Sequence, residues 1–156
     1  MIGLTLWSGI AAGSQATNTG PLPAALRTHL QAERFQIVTA VRGLPLGVRD
    51  TLQALFGSGG LDIVDPGAPF QLTNVAANPK LPTRRLVAAG CSNDHHCLVY
   101  YERGGTDHTW QVMLFQWSPS ETRLEWGSLA PGGLATIEDV QKAILSGQMK
   151  GAPKSW

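Results

Sequence analysis

Residues 91–97 carry most of the reactive side chains of this sequence. The segment is Cys-Ser-Asn-Asp-His-His-Cys, and it holds both cysteines, two of the four histidines and a carboxylate. Runs typical of β-strands flank it, which predicts a hairpin turn. Donors of this kind indicate either a disulfide across the turn or a metal-binding loop, and free thiols are a third alternative.

The metal alternative would use Asp94, His95 and His96 together with the two cysteines. Structural zinc sites usually draw paired ligands from two separate knuckles, whereas these donors all lie in one turn. A Cys91–Cys97 disulfide is favoured instead, because two cysteines in a small domain pair in an oxidising compartment. We therefore expect no metal or other cofactor.

His108 is the second candidate for chemistry, since it follows a Gly-Gly-Thr-Asp turn between two predicted strands. Depending on register, Tyr101, Glu102 or Arg103 would lie opposite it. A Glu102–His108 pair would be a candidate general acid and base. The alternative, which the sequence favours, is a solvent-exposed hairpin end with no chemistry.

Aromatic side chains are frequent in the same part of the chain, and most are expected in a hydrophobic core. The functional alternative is an exposed sheet face that binds a protein or a glycan. Tyr, Trp and Arg are the usual anchors of such a face. Its candidate binding residues are Tyr101, Arg103, Trp110 and Arg123.

Composition restricts the classes of function. The 156 residues suit one domain, 15% are charged against about a quarter in typical proteins, and the net charge is +1. Basic residues are scattered, and nucleic-acid binding usually needs a basic patch or stripe. No apolar run reaches the length of a membrane span.

The first sixteen residues have features of an export signal. Residues 2–12 are apolar and uncharged, and Ser14-Gln15-Ala16 has the small-x-small form of a signal-peptidase site. The first charged residue is Arg27, so the basic start of a typical signal is missing. The alternative is an N-terminal strand or helix packed on the domain. Residues 17–156 are predicted to form one compact domain with a loose tail from about residue 151.

Hydrophobic periodicity predicts the elements that would position these residues. Short turns between β-rich runs indicate an antiparallel meander. The predicted fold is α+β, with four to six antiparallel strands and two or three helices packed mainly on one face. The predicted helices are residues 23–33, residues 48–56 and a helix capped at Thr136; the strands are 84–89, 97–103, 109–117 and 122–126, with 35–41, 61–64 and 70–75 as further candidates.

The tracts HCLVYYERGG, HTW, EWG and APGGLATIEDVQKAILSG resemble those of a group of small uncharacterised exported proteins of Gram-negative bacteria. The similarity covers roughly residues 38–149. The resemblance implies export and a single compact domain, and it implies no particular activity.

These observations predict a non-enzymatic binding or protein-interaction module in the periplasm or outside the cell. Its partner would be an unknown protein or small ligand. The protein itself is expected to bind no nucleic acid and to have no stable membrane insertion after signal cleavage. One alternative is a small hydrolase or metal-dependent enzyme built on His95, His96, His108 and a nearby carboxylate. Another is an inhibitor or immunity-like partner of a different exported protein.

Overall fold

The computed structural model describes residues 19–74 and 78–156, which form a five-stranded antiparallel sheet and three α-helices. The strands lie in the sheet in chain order, so the predicted α+β meander is confirmed. The predicted signal segment, residues 1–16, lies outside the described residues. The elements are α1 (Ala24–Ala32), β1 (Gln36–Val38), a short 3-10 helix (Val41–Gly43), α2 (Leu46–Phe56), β2 (Arg84–Cys91), β3 (His96–Arg103), β4 (Thr109–Trp117), β5 (Thr122–Ala130) and α3 (Ile137–Leu145).

Both faces of the sheet are covered. Consecutive strand residues point to opposite faces, so neighbours such as Met113 and Leu114 enter different cores. Helix α2 packs over the core that contains Met113, and helices α1 and α3 pack over the core that contains Leu114. Two of the three helices therefore share one face, and β4 is buried on both sides, as its sequence predicts.

Helix α3 begins where the sequence predicts. The hydroxyl of Thr136 accepts from the amide of Asp139 at 3.1 Å, and the Asp139 carboxylate accepts from the Thr136 amide at 3.2 Å. This capping box satisfies two amides that the first helical turn leaves without partners. Gly147, with φ of 75°, follows the helix in the left-handed conformation.

The C-terminal residues correct one expectation, because the tail is docked on the sheet. Leu129 and Gly151 form an antiparallel bridge, which covers part of the outer edge of β5. Trp156 packs on the α2-side core, and a Cβ at Gly127 would collide with its ring. The prediction of a loose tail is wrong. The tail is held by backbone hydrogen bonds to β5, and such bonds leave no periodic pattern of side chains in the sequence.

Two candidate strands are also corrected. Residues 61–64 form no strand, although Val64 makes an isolated parallel bridge to Arg85 beside β2. Residues 70–74 have no strand pairing, and residue 75 lies outside the described residues. Both segments run along the sheet as loops, and the second one forms a wall of the cavity described below.

Candidate functional site

The disulfide joins two strands across a tight turn. Cys91 and Cys97 are direct partners in the pairing of β2 with β3, their Cα atoms are 4.1 Å apart, and their sulfurs are bonded. The predicted disulfide is therefore confirmed. Asp94 and His95 are exposed on the turn, whereas His96 points into the protein. No group of three or more potential metal-ligating His, Cys, Asp or Glu residues occurs within residues 19–74 and 78–156.

His96 forms a buried pair with Glu33, a contact that the sequence did not predict. Nδ1 of His96 lies within hydrogen-bond distance of Oε1 of Glu33, and the Ser92 hydroxyl donates to the same oxygen at 3.2 Å. Glu33 is 5% exposed, and its second carboxylate oxygen has no hydrogen-bond partner in the described part of the chain. Because Glu33 caps the end of α1, this pair ties that helix to the disulfide-bonded turn.

Glu102 and His108 also meet, as one of the predicted alternatives requires. Nε2 of His108 lies 2.9 Å from Oε2 of Glu102, and Nε of Arg85 donates to the other carboxylate oxygen at 2.6 Å. The imidazole also packs against Trp110, with ring centroids 4.3 Å apart. The Glu102 carboxylate therefore holds the side chains of Arg85 and His108 in place at the end of the β3–β4 hairpin.

The histidines do not converge, which contradicts the predicted enzyme site. His96 is paired with Gln116 at one end of β3, and Arg103 is paired with Thr109 at the other end. An eight-residue strand therefore separates His95 and His96 from His108 by roughly 25 Å, at about 3.3 Å per residue. The hydrolase or metal-enzyme hypothesis that joined these residues in one pocket is wrong.

The four predicted binding residues do not share a surface either. Tyr101 is fully buried, and its hydroxyl donates to Oε1 of Gln111 at 2.6 Å. Arg103 faces the α2 side of the sheet, whereas Trp110 packs on the side of α1 and α3. Arg123 is exposed near the β4–β5 turn, where its Nε donates to Glu125 at 2.6 Å. A single aromatic and arginine-bearing face is therefore excluded.

Arg103 instead lines a cavity at the end of the β3–β4 hairpin. This hairpin cavity is partly open to solvent and has a volume of about 460 Å³. It is bounded mainly by the loop 71–74, the hairpin 103–109 and the tail 153–155, and Thr83, Gln111 and Leu129 complete its lining. Small-molecule sites usually span roughly 300–1,000 Å³. The polar side chains that matter below are Arg103, Asp107, Thr109, Gln111 and Lys154.

The polar groups of the cavity wall are held in place by the surrounding structure. Gln111 is 1% exposed, and its Nε2 donates to the Ser155 carbonyl oxygen at 3.0 Å and to the Thr109 hydroxyl at 3.3 Å. At Gly104, an added Cβ would collide with the carbonyl group of Gln71, so the hairpin and the loop meet through a residue without a side chain. The cavity wall is therefore preorganised before any ligand arrives.

The two arginines beside the cavity have different surroundings. Arg84 is the direct cross-strand partner of Arg103 and pairs with Asp62, with 2.5 Å between Nη1 and Oδ2. Burial lowers the pKa of Arg84, while Tyr101 and Asp62 oppose this shift. Within residues 19–74 and 78–156, no carboxylate forms an ion pair with Arg103, and its buried Nε has no hydrogen-bond partner.

A second cleft of about 400 Å³ lies between α2 and the β4–β5 turn. Its wall includes Leu46, which is 63% exposed, and Trp117. The carboxylates of Asp50 and Glu121 also line it. Its described lining contains no cationic side chain, so this cleft differs in charge from the hairpin cavity.

Comparisons with known proteins identify no relative. No protein-family model matches the chain, and neither a curated protein nor a solved structure matches it. The resemblance to exported proteins therefore stays a prediction. No helix of the described part of the chain is long and apolar enough to cross a membrane.

Proposed function

We propose that this protein is an exported domain, periplasmic or secreted, that binds a small polar ligand in the hairpin cavity. The observation that carries the proposal is the cavity itself, which three separate chain segments bound and polar side chains line. Ligand sites are typically concave, largely preformed and supplied with a few fixed polar groups. The hydrogen bonds of Gln111 give this wall such fixed groups.

Binding is favoured over catalysis by the position of the titratable groups. Neither His96 nor His108 lines the cavity, and the Glu102 carboxylate is already occupied by Arg85 and His108. General acid–base catalysis needs a titratable group within hydrogen-bond reach of the reacting atom. The cavity lining does include the carboxylate of Asp107, but this side chain is 72% exposed and its partner, Lys154, is 95% exposed and 4.0 Å away, so the pair does not fix a base in place.

Export is supported by the disulfide and by the N-terminal sequence. A disulfide persists in the periplasm or outside the cell and is rare in the reducing cytosol. Export is tested by the intact mass of protein expressed with its native upstream region, under non-reducing conditions and with thiol alkylation. We expect loss of the first sixteen residues and no alkylation. An uncleaved chain with two alkylated cysteines would refute export.

Ligand binding is tested by native mass spectrometry of the protein purified from an envelope extract. We expect a bound small molecule on the wild type that Thr109→Trp expels, because an indole at this position fills the cavity. Thr39→Trp is the matched control, since Thr39 is exposed on the short edge beyond β1 and outside the cavity. Equal occupancy of both variants, or no bound molecule on the wild type, would argue against this function.

A further inference from the structure

Arg103 has no counter-ion among the described residues, although the structure provides one for its neighbour. Arg84 and Arg103 lie directly opposite each other in β2 and β3. Like charges in such a cross-strand pair destabilise a sheet. Asp62 neutralises Arg84, and the guanidinium of Arg84 also lies 4.0 Å from the centre of the Phe56 ring. Within residues 19–74 and 78–156, no comparable contact neutralises Arg103.

The guanidinium of Arg103 is also incompletely hydrogen-bonded. Its Nε is buried without a partner, and leaving a buried donor of a charged group unsatisfied carries a free-energy cost. Tyr101, which is close enough to interact with both arginines, is a neutral phenol at physiological pH because burial raises its pKa. Tyr101 therefore supplies no negative charge to neutralise Arg103 at the wall of the cavity.

From this arrangement we infer that the ligand of the hairpin cavity carries an anionic group, a phosphate or a carboxylate, that binds Arg103. This inference rests on the proposed function of the cavity. A guanidinium offers parallel donors that match the oxygens of either group in a bidentate contact. An anion would supply the counter-charge that Arg103 lacks.

The remaining lining groups indicate the rest of the ligand. Lys154 adds a second cation at the rim, where its Nζ lies 4.0 Å from Oδ2 of Asp107. Asn74 and Thr109 add amide and hydroxyl groups that suit alcohol groups of a ligand. A small hydroxylated molecule with one anionic end fits this combination better than an apolar one.

The test uses the full chain and three probes that share a hydroxylated body: glucose 6-phosphate, gluconate and neutral glucose. Melting temperatures are measured at equal ionic strength against sodium chloride. We expect glucose 6-phosphate, gluconate or both to raise the melting temperature in a saturable way, and glucose to have little effect. Comparison of the responses to glucose 6-phosphate and to gluconate then shows whether the site prefers a phosphate or a carboxylate.

The decisive variant is Arg103→Met, which removes the guanidinium group and its charge and keeps an unbranched, apolar stem. We expect this variant to bind the anionic probe with an affinity at least roughly tenfold lower than that of the wild type. Without ligand, its melting temperature should equal or exceed that of the wild type, because a like-charge contact with Arg84 is lost. Arg103→Lys, which preserves charge and tests folding independently, should retain part of the response. Arg123→Met is the matched control at an exposed arginine outside the cavity.

Two results obtained with the charged probes would overturn the inference. One is an anion response that Arg103→Met and Arg123→Met retain equally. The other is the absence of any anion effect beyond that of sodium chloride. If glucose alone stabilises the wild type, or a neutral molecule is found in the cavity, the anionic ligand is refuted while the binding function stands.

Discussion

Arg84 and Arg103 are direct cross-strand partners, yet among the residues that the structure describes only Arg84 has a counter-ion. Its ion pair with Asp62 is nearly buried, with side-chain exposures of 5% for the arginine and 19% for the aspartate. Arg84 therefore belongs to the structural core, whereas Arg103 remains available at the cavity. The different surroundings of two identical side chains distinguish a stabilising residue from a candidate ligand-binding residue.

Asp62→Asn should destabilise the protein strongly, because it leaves the buried Arg84 without its counter-charge. We expect a loss of about 3 kcal/mol in the free energy of unfolding, measured by urea denaturation. Asp107→Asn is the control, since Asp107 and Lys154 form an exposed pair whose atoms are 4.0 Å apart. Asp107→Asn should change the free energy of unfolding by no more than about 0.5 kcal/mol. Equal effects of both variants would contradict this role of Asp62.

Removing the disulfide should cost a moderate amount of stability. The bond closes a loop with a sequence separation of 6 residues, so it restricts the unfolded chain only slightly. Replacing both cysteines with alanine should lower the free energy of unfolding by about 2 kcal/mol. Wild-type protein unfolded in the presence of a reductant provides the matched comparison. Unchanged stability in both experiments would show that the bond does not stabilise this turn.

Glu33 and His96 should be energetically coupled, although they lie far apart in sequence. We expect Glu33→Gln and His96→Gln to show a coupling energy of about 1–3 kcal/mol in a double-mutant cycle at neutral pH. The reason is that each change leaves the other polar group buried beside a poorer partner. A cycle at Asp94 and His95, which are exposed in the same turn, should be additive. Additivity at Glu33 and His96 would contradict the buried pair.

Tyrosine ionisation gives a prediction without mutation, because Tyr100 and Tyr101 are the two tyrosines of the chain and both are fully buried. Burial raises the pKa of Tyr100 to about 12, against an ordinary value of 10.0, and also raises the pKa of Tyr101. The folded state therefore holds these protons more tightly than the unfolded state. Stability is at its full value below pH 10 and falls as pH rises toward 12.

An ultraviolet absorbance titration checks this prediction. Native protein should show almost no tyrosinate near pH 10, whereas protein in concentrated urea should titrate at the ordinary value. Chemical denaturation between pH 9 and 11.5 should show the corresponding loss of stability, on the alkaline side of about pH 10. Half-ionised tyrosines in the folded protein at pH 10 would show that the phenols are accessible to water.

Local patterns in the sequence are sufficient to predict the antiparallel meander and helix α3. Short polar turns between β-rich runs fix antiparallel neighbours, and the spacing of Thr136 and Asp139 marks the first turn of a helix. The disulfide followed from the same logic, because Cys91 and Cys97 flank one turn. Each of these features depends on residues that are close in the chain.

The cavity and the buried pair depend on contacts between distant segments, which one sequence does not reveal. Glu33 and His96 are separated by 63 positions, and no pattern around either residue indicates the other. The tail and the loop 71–74 become cavity walls only after the sheet has formed. Strand alternation predicts which residues share a face but leaves open which face a helix covers. The sequence therefore permits a binding role for Tyr101, which the structure buries in the core.

The most direct test of the binding site is an amide NMR titration of the full chain with glucose 6-phosphate and gluconate. We expect saturable shifts for the amides of Gly104, Gly105 and Ser155, which line the hairpin cavity. Amides of Ser118 and Ser120, at the second cleft, should remain unchanged. The same titration of Arg103→Met should lose the response. Shifts confined to the second cleft, or no saturable shifts at either place, would contradict an anion-binding hairpin cavity.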